Sequence, residues 1–175
     1  MTGAQPDGRP ISFHLNGERV ALRVPETETL VQTLRERCDV SSVRESCGIG
    51  VCGTCTVLRS GSPISACLTL TTMVEGSNLL TSEGLVQNGI PSLVQDAFLS
   101  ASAFQCSFCI PGISLTVHAL TQCQDEDAED PIEGLVGNLC RCGTYPRVVE
   151  AVRQICATDP HRTIANESGV QNEKL

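Results

Sequence analysis

Cysteine is the feature that most constrains this chain. Eleven of its 175 residues are cysteine, and eight of them fall into two spaced sets. Cys47, Cys52, Cys55 and Cys67 follow the pattern C-x4-C-x2-C-x11-C. Cys106, Cys109, Cys140 and Cys142 follow C-x2-C-x30-C-x1-C. Disulfide frameworks belong to short secreted chains with even cysteine counts and a signal peptide. This count is odd, and the opening residues MTGAQPDGRP carry no basic n-region, no apolar h-region and no twin arginine. The expected location is the reducing cytoplasm, where clustered cysteines usually hold metal.

The first spacing is that of plant-type [2Fe–2S] sites. Its chemistry asks for a tight loop that turns three thiolates inward, with a fourth arriving from elsewhere. Gly48, Gly50 and Gly53 suit such a loop, because backbone N–H groups can then approach the sulfurs closely. Cys67 is expected on a separate strand. Zinc ribbons prefer paired C-x2-C knuckles, which C-x4-C-x2-C fits poorly. In the second set the C-x2-C half alone also suits a redox pair or a zinc knuckle. The C-x1-C half suits a two-iron cluster, whose ligands divide between two metals, better than one tetrahedral zinc. Cys38, Cys123 and Cys156 match neither set and are expected to fill core space as small hydrophobes.

Composition excludes other classes. Aromatic residues are 3% of the chain and the net charge is −8, which argues against a base-stacking or phosphate-binding surface. No run of apolar residues is long enough to span a membrane. His14, His118 and His161 stand apart in sequence, and no acid–base pair, P-loop or dinucleotide fingerprint occurs.

Periodicity divides the chain near residues 80–90. Phe13 and Leu15, then Val20, Leu22 and Val24, alternate around Asn16-Gly17, which predicts a hairpin ended by Pro25. A helix is expected over 26–37, a cysteine loop over 43–55, strands over 55–58 and 64–68 around Ser60-Gly61, and another strand at Leu79-Leu80. From Pro91 onward the pattern is helical: 91–103, 111–122, a short helix over 132–138, and 146–157 with Pro146 at its start. Residues 125–130 form an acidic run, and the final residues are polar and aperiodic.

Taken together, SCGIGVCGTCTVL (46–58), ACL (66–68), TSEGL (81–85), QCSFCIPG (105–112) and GNLCRCGTYPRV (137–148) resemble the small iron–sulfur subunit of the molybdenum hydroxylases, the xanthine dehydrogenase and aldehyde oxidoreductase type. The resemblance spans about residues 11–157. It departs from the common pattern at Ser46 and Ser107, where glycine is usual, and at Gly143-Thr144-Tyr145, where many members have Thr-Gly-Tyr. The resemblance implies an α+β chain, a plant-ferredoxin-like β-grasp domain over 11–85 and a four-helix [2Fe–2S] domain over 90–157; the polar, aperiodic residues 158–175 are expected to form a mobile tail. It further implies electron relay rather than bond-making chemistry, with one [2Fe–2S] cluster per domain. A large partner subunit would carry a molybdopterin cofactor, and a medium subunit would carry FAD. Gln105 and Cys142 match positions that lie against the pterin. A free ferredoxin-type carrier is the alternative, although a carrier needs only one cluster.

Overall fold

The computed structural model describes residues 8–122 and 132–158. The hairpin forms as patterned: β1 (Arg9–Leu15) and β2 (Glu18–Val24) pair antiparallel, with Leu15 opposite Glu18 across the Asn16-Gly17 turn. β3 (Thr56–Arg59) and β4 (Ser62–Ser65) form a second antiparallel pair. β5 (Asn78–Leu80) lies between the pairs, parallel to β1 and antiparallel to β3, so the sheet order is β2-β1-β5-β3-β4. α1 (Leu30–Arg37) buries Leu30, Val31, Thr33 and Leu34. Its apolar side chains join Ile11, Phe13, Leu15, Val24, Val57, Val74 and Leu79 in one core. This is the plant-ferredoxin-like β-grasp arrangement.

Three elements have bounds that differ by more than one residue from the periodicity. The first helix starts at Leu30, not residue 26, because Thr29 is its N-cap and its N–H donates to Gln32 Oε1 at 3.1 Å, half of a capping box. Glu28 stays outside the helix and pairs with Arg37 at 2.6 Å. The strand expected over 64–68 ends at Ser65, so Cys67 lies in the following turn and not on a strand. There the Leu68 N–H closes back on the Ser65 carbonyl at 3.1 Å. The helix expected over 91–103 is α2 (Leu93–Ser100), bounded by the capping residue Ser92.

The second half is helical: α2, α3 (Ile110–Gln122), a 3-10 segment (Glu133–Gly137) and α4 (Tyr145–Thr158). Val94, Phe98, Ile113, Val117, Leu135, Val148, Val152 and Ile155 form its core. α3 is apolar on two faces. Ile113 and Val117 enter the helical core, while Leu115 and Ala119 meet Leu58, Leu80 and Leu85 at the sheet. A helix apolar on more than one face is a buried helix, and this one fastens the two halves together. The acidic run, Cys123 and nearly all of the expected tail lie outside the described residues. Among the described residues, no helix is long and apolar enough to cross a membrane.

Candidate iron–sulfur centres

The loop that carries the first cysteine set is anchored from both ends. After α1, Val40 and Val43 are buried in the sheet core, and Arg35 Nη1 donates to the Val43 carbonyl at 2.9 Å. On the far side Thr56 opens β3, and its hydroxyl donates to the Gly53 carbonyl at 2.8 Å. Between these anchors the thiols of Cys47 and Cys52 come within hydrogen-bond reach. Cys55 and Cys67 do the same, with the Cys67 N–H on Cys55 Sγ at 3.4 Å. Thr54 Oγ1 lies 3.2 Å from Cys52 Sγ and donates to it.

The second set is built from two turns far apart in sequence. One precedes α3 and holds Cys106 and Cys109. The other precedes α4 and holds Cys140 and Cys142. Cys106 meets Cys142, and Cys109 meets Cys140. Tyr145 secures the second turn: the Cys140 N–H donates to its hydroxyl at 2.6 Å, and that hydroxyl donates to the Asn138 carbonyl at 3.0 Å. Ser107 has φ 61°. That left-handed conformation favours glycine, which accounts for the usual glycine at this position.

Electrostatics divide each set. Backbone N–H groups of Ile49, Cys52 and Val51 pull the Cys47 pKa down to about 6. The Phe108 N–H, with the Cys142 thiol, lowers that of Cys106. Burial acts against ionisation of Cys140, but hydrogen bonds from the Thr144, Cys142 and Gly143 backbone and from Cys109 outweigh it, and its pKa falls. Burial pushes Cys55 and Cys109 up to about 12. The Cys106 thiol beside Cys142 raises the Cys142 pKa. Metal binding removes these thiol protons, and the surrounding N–H groups then stabilise the resulting negative charge.

Among the described residues, no three His, Cys, Asp or Glu side chains gather where a single ion would sit. The thiols meet in twos instead. That donor set fits a two-iron, two-sulfide group, which divides its protein ligands between two metals.

The two sets adjoin each other, and the residues that join them were not singled out by spacing. The Leu139 N–H donates to the Cys52 carbonyl at 2.9 Å. Buried Asn138 donates through Nδ2 to the Gly53 carbonyl at 3.3 Å. Arg44 Nη1 donates to the Phe108 carbonyl at 3.0 Å and also to that of Ser107, with its guanidinium 5.3 Å from the Phe108 ring centroid. Glycine is required at this junction. A Cβ on Gly53 would lie 2.5 Å from the Gly137 carbonyl, and one on Gly112 would lie 2.3 Å from the Gly53 carbonyl. An asparagine two residues before Cys140 was all the sequence offered, with nothing to mark it as buried or to name its partner.

Gln105 and Cys142 are brought together. The Gln105 Nε2 donates to the Cys142 carbonyl at 3.0 Å, and both residues are exposed. Cys38 is the half-buried C-cap of α1, packed on the sheet core, and Cys156 is buried in the helical core. His14 and His118, separate in sequence, line one cavity of about 290 Å³ beside the Asn16-Gly17 turn.

Comparison with known proteins agrees with the two-part architecture. A family model described as a 2Fe-2S iron-sulfur cluster binding domain matches residues 13–81, and one described as a [2Fe-2S] binding domain matches 81–153. The small FeS subunit of nicotinate dehydrogenase from Eubacterium barkeri is 39% identical over 82% of this chain and 92% of its own length. The nicotine 6-hydroxylase small subunit of Paenarthrobacter nicotinovorans is 36% identical over 97% and 100%. Among solved structures, a chain of quinoline 2-oxidoreductase from Pseudomonas putida 86 superposes with a TM-score of 0.78. It is 34% identical, covering 90% of this chain and 94% of that one. The aldehyde oxidoreductase of Desulfovibrio desulfuricans gives the same TM-score at 31% identity, with 86% of this chain matching 17% of that larger one.

Proposed function

The chain belongs to the small iron–sulfur subunit family of the molybdenum hydroxylases, and on that footing we propose how it relays electrons within such an enzyme. Cys106, Cys109, Cys140 and Cys142 hold one [2Fe–2S] cluster, and Cys47, Cys52, Cys55 and Cys67 hold the other. Each cluster supplies one-electron redox chemistry when bound. The helical-domain set faces a large molybdopterin-binding partner, and the N-terminal set faces the exit, to FAD on a medium subunit or to another acceptor. The proposed location is the cytoplasm.

The observation that carries this reading is the hydrogen bond from Leu139 to the Cys52 carbonyl. Leu139 adjoins Cys140, so a ligand of one set is joined to a ligand of the other by covalent bonds and one 2.9 Å contact. This chain's residues thus hold the two ligand sets at a fixed spacing. The backbone donors around Cys47, Cys106 and Cys140 stabilise added negative charge. Gln105, whose side chain is held on the Cys142 carbonyl, is assigned the pterin contact in this reading. The chain performs no bond-making step itself; its role is positioning and electrostatics.

The test is a pair of variants in the assembled enzyme, each first checked for folding and subunit retention. The wild-type chain is expected to hold four iron and four acid-labile sulfides. In Cys52→Ala, substrate should still reduce the molybdenum centre and the helical-domain cluster in a single turnover, while steady turnover collapses. In Cys109→Ala, the molybdenum centre should be reduced and the N-terminal cluster should stay oxidised. A folded Cys52→Ala enzyme that turns over at the normal rate refutes the order. Zinc in place of iron refutes the whole reading.

A further inference from the structure

The tripeptide Cys-Gly-Thr occurs twice, at 52–54 and at 142–144, once in each cysteine set. The two copies share a backbone feature: Gly53 has φ 65° and Gly143 has φ 74°. Their threonines are both buried, at 3% and 2% exposure. Yet their hydroxyls differ. Thr54 Oγ1 donates to the Cys52 sulfur at 3.2 Å. Thr144 Oγ1 is a buried side-chain polar atom without a hydrogen-bond partner, the one found among the described residues.

Such an atom calls for an explanation, because native proteins rarely leave buried hydroxyls unpaired. Helix capping does not provide one. Thr144 immediately precedes α4, where a threonine hydroxyl ordinarily accepts from an N–H two or three residues ahead. Pro146 has no N–H to offer. The Arg147 N–H goes to the Thr144 backbone carbonyl at 3.0 Å, as does that of Val148 at 3.1 Å. Solvent and a partner subunit are also kept away, since the side chain is 2% exposed. The turn that carries Cys140 and Cys142 supplies such an acceptor once a group is bound there. The Thr144 backbone N–H already serves the Cys140 sulfur there.

We propose that Thr144 sets the potential of the helical-domain cluster: its Oγ1–H donates to a sulfur of the bound cluster, the part Thr54 plays toward the Cys52 sulfur in the other set. Thr144 is a positioning residue for charge, not a catalytic one. A hydrogen bond to a cluster sulfur stabilises the reduced, more negative form and raises the reduction potential. The proposal rests on the ligand assignment above.

The test is a redox titration of the assembled enzyme followed by electron paramagnetic resonance. The signal of the helical-domain cluster is identified by its loss in Cys109→Ala. Thr144→Val keeps the shape and removes the donor. It should shift that cluster's midpoint to a more negative value and leave the N-terminal cluster's midpoint unmoved. Thr144→Ser should restore the wild-type midpoint. Unchanged midpoints in a cluster-loaded Thr144→Val enzyme overturn the proposal, as does a Thr144→Ser midpoint that matches Val rather than wild type. Should Thr144→Val fail to load its cluster, Thr144→Ala is titrated instead, with the same two outcomes. If neither variant loads, electron–nuclear double resonance of the wild-type and Thr144→Ser enzymes decides: an exchangeable-proton coupling that changes between the two, beside backbone N–H couplings that do not, supports the donor, and identical exchangeable-proton couplings overturn it. A wild-type enzyme lacking the cluster altogether refutes the ligand assignment, a result distinct from these.

Discussion

The two cysteine sets solve one problem in opposite ways. In the first, Cys52, Cys55 and Cys67 are buried and only Cys47 is partly open; in the second, Cys109 alone is buried, while Cys106 and Cys142 are exposed. The first set is largely local in sequence, shaped by one loop whose ends are tied into the sheet core. The second joins two turns thirty residues apart, each at the start of a helix. A local set can be enclosed by its own loop. A set assembled at two helix starts stays at the surface, with the exposed Phe108 in the turn between Cys106 and Cys109. The first set is thus covered by its own domain, while the second leaves the Cys106 and Cys142 thiols open to a neighbouring molecule.

The largest effect that would break this comparison comes from the junction shared by both sets. Gly112→Ala places a methyl 2.3 Å from the Gly53 carbonyl, so α3 or the cysteine loop must shift. Overpacking of this kind costs roughly 1–3 kcal/mol. A lowered melting temperature, with slower electron passage between the clusters, is expected; unchanged values for both would show that the two backbones are not held in contact.

A smaller change separates the two sets. Tyr145→Phe removes the hydroxyl that joins Cys140 to Asn138, at a cost of about 1 kcal/mol. Iron should then leave the helical-domain site faster under chelator challenge, while the N-terminal site keeps its wild-type rate. Equal acceleration at both sites would argue that the turn before α4 supports the whole molecule rather than one set.

The smallest effect lies in the scaffold of the first domain. Arg37, followed by Thr33, holds the Glu28 pKa below its ordinary value against the opposing effect of burial. A depressed carboxylate pKa contributes stability above the unfolded value near 4.5 and loses it as pH falls through the folded value. Glu28→Gln should therefore cost up to about 1 kcal/mol at neutral pH and almost nothing in acid below the folded pKa. Denaturant melts at both pH values measure the difference. A pH-independent cost would assign the effect to packing.

What could be read before folding was whatever depends on neighbours along the chain. The Asn16-Gly17 hairpin, the helix expected from Pro146 and the short cysteine spacings C-x4-C-x2-C, C-x2-C and C-x1-C all reflect turn chemistry, period or ligand reach within a few residues. Boundaries were less legible, because caps compete with periodicity: Thr29 stopped the first helix short, and the turn closed by Leu68 released Cys67 from its strand. The two-faced burial of α3 was half visible, since Ile113, Leu115 and Val117 read as apolar but not as facing different partners.

Motif spacing alone therefore sorted eight cysteines into two expected groups, one in each half of the chain, because short spacings limit what can converge; their role as ligands is the proposal made above. Tertiary structure decided everything that crosses between the halves. It set Gly112 against Gly53, Leu139 on Cys52, Asn138 on Gly53 and Arg44 on the Cys106–Cys109 turn. These contacts join residues about sixty or more positions apart, and no local rule of turn, period or propensity reaches that far. They depend on α3 being apolar toward both cores at once, and only the packed molecule shows which groups that burial brings together.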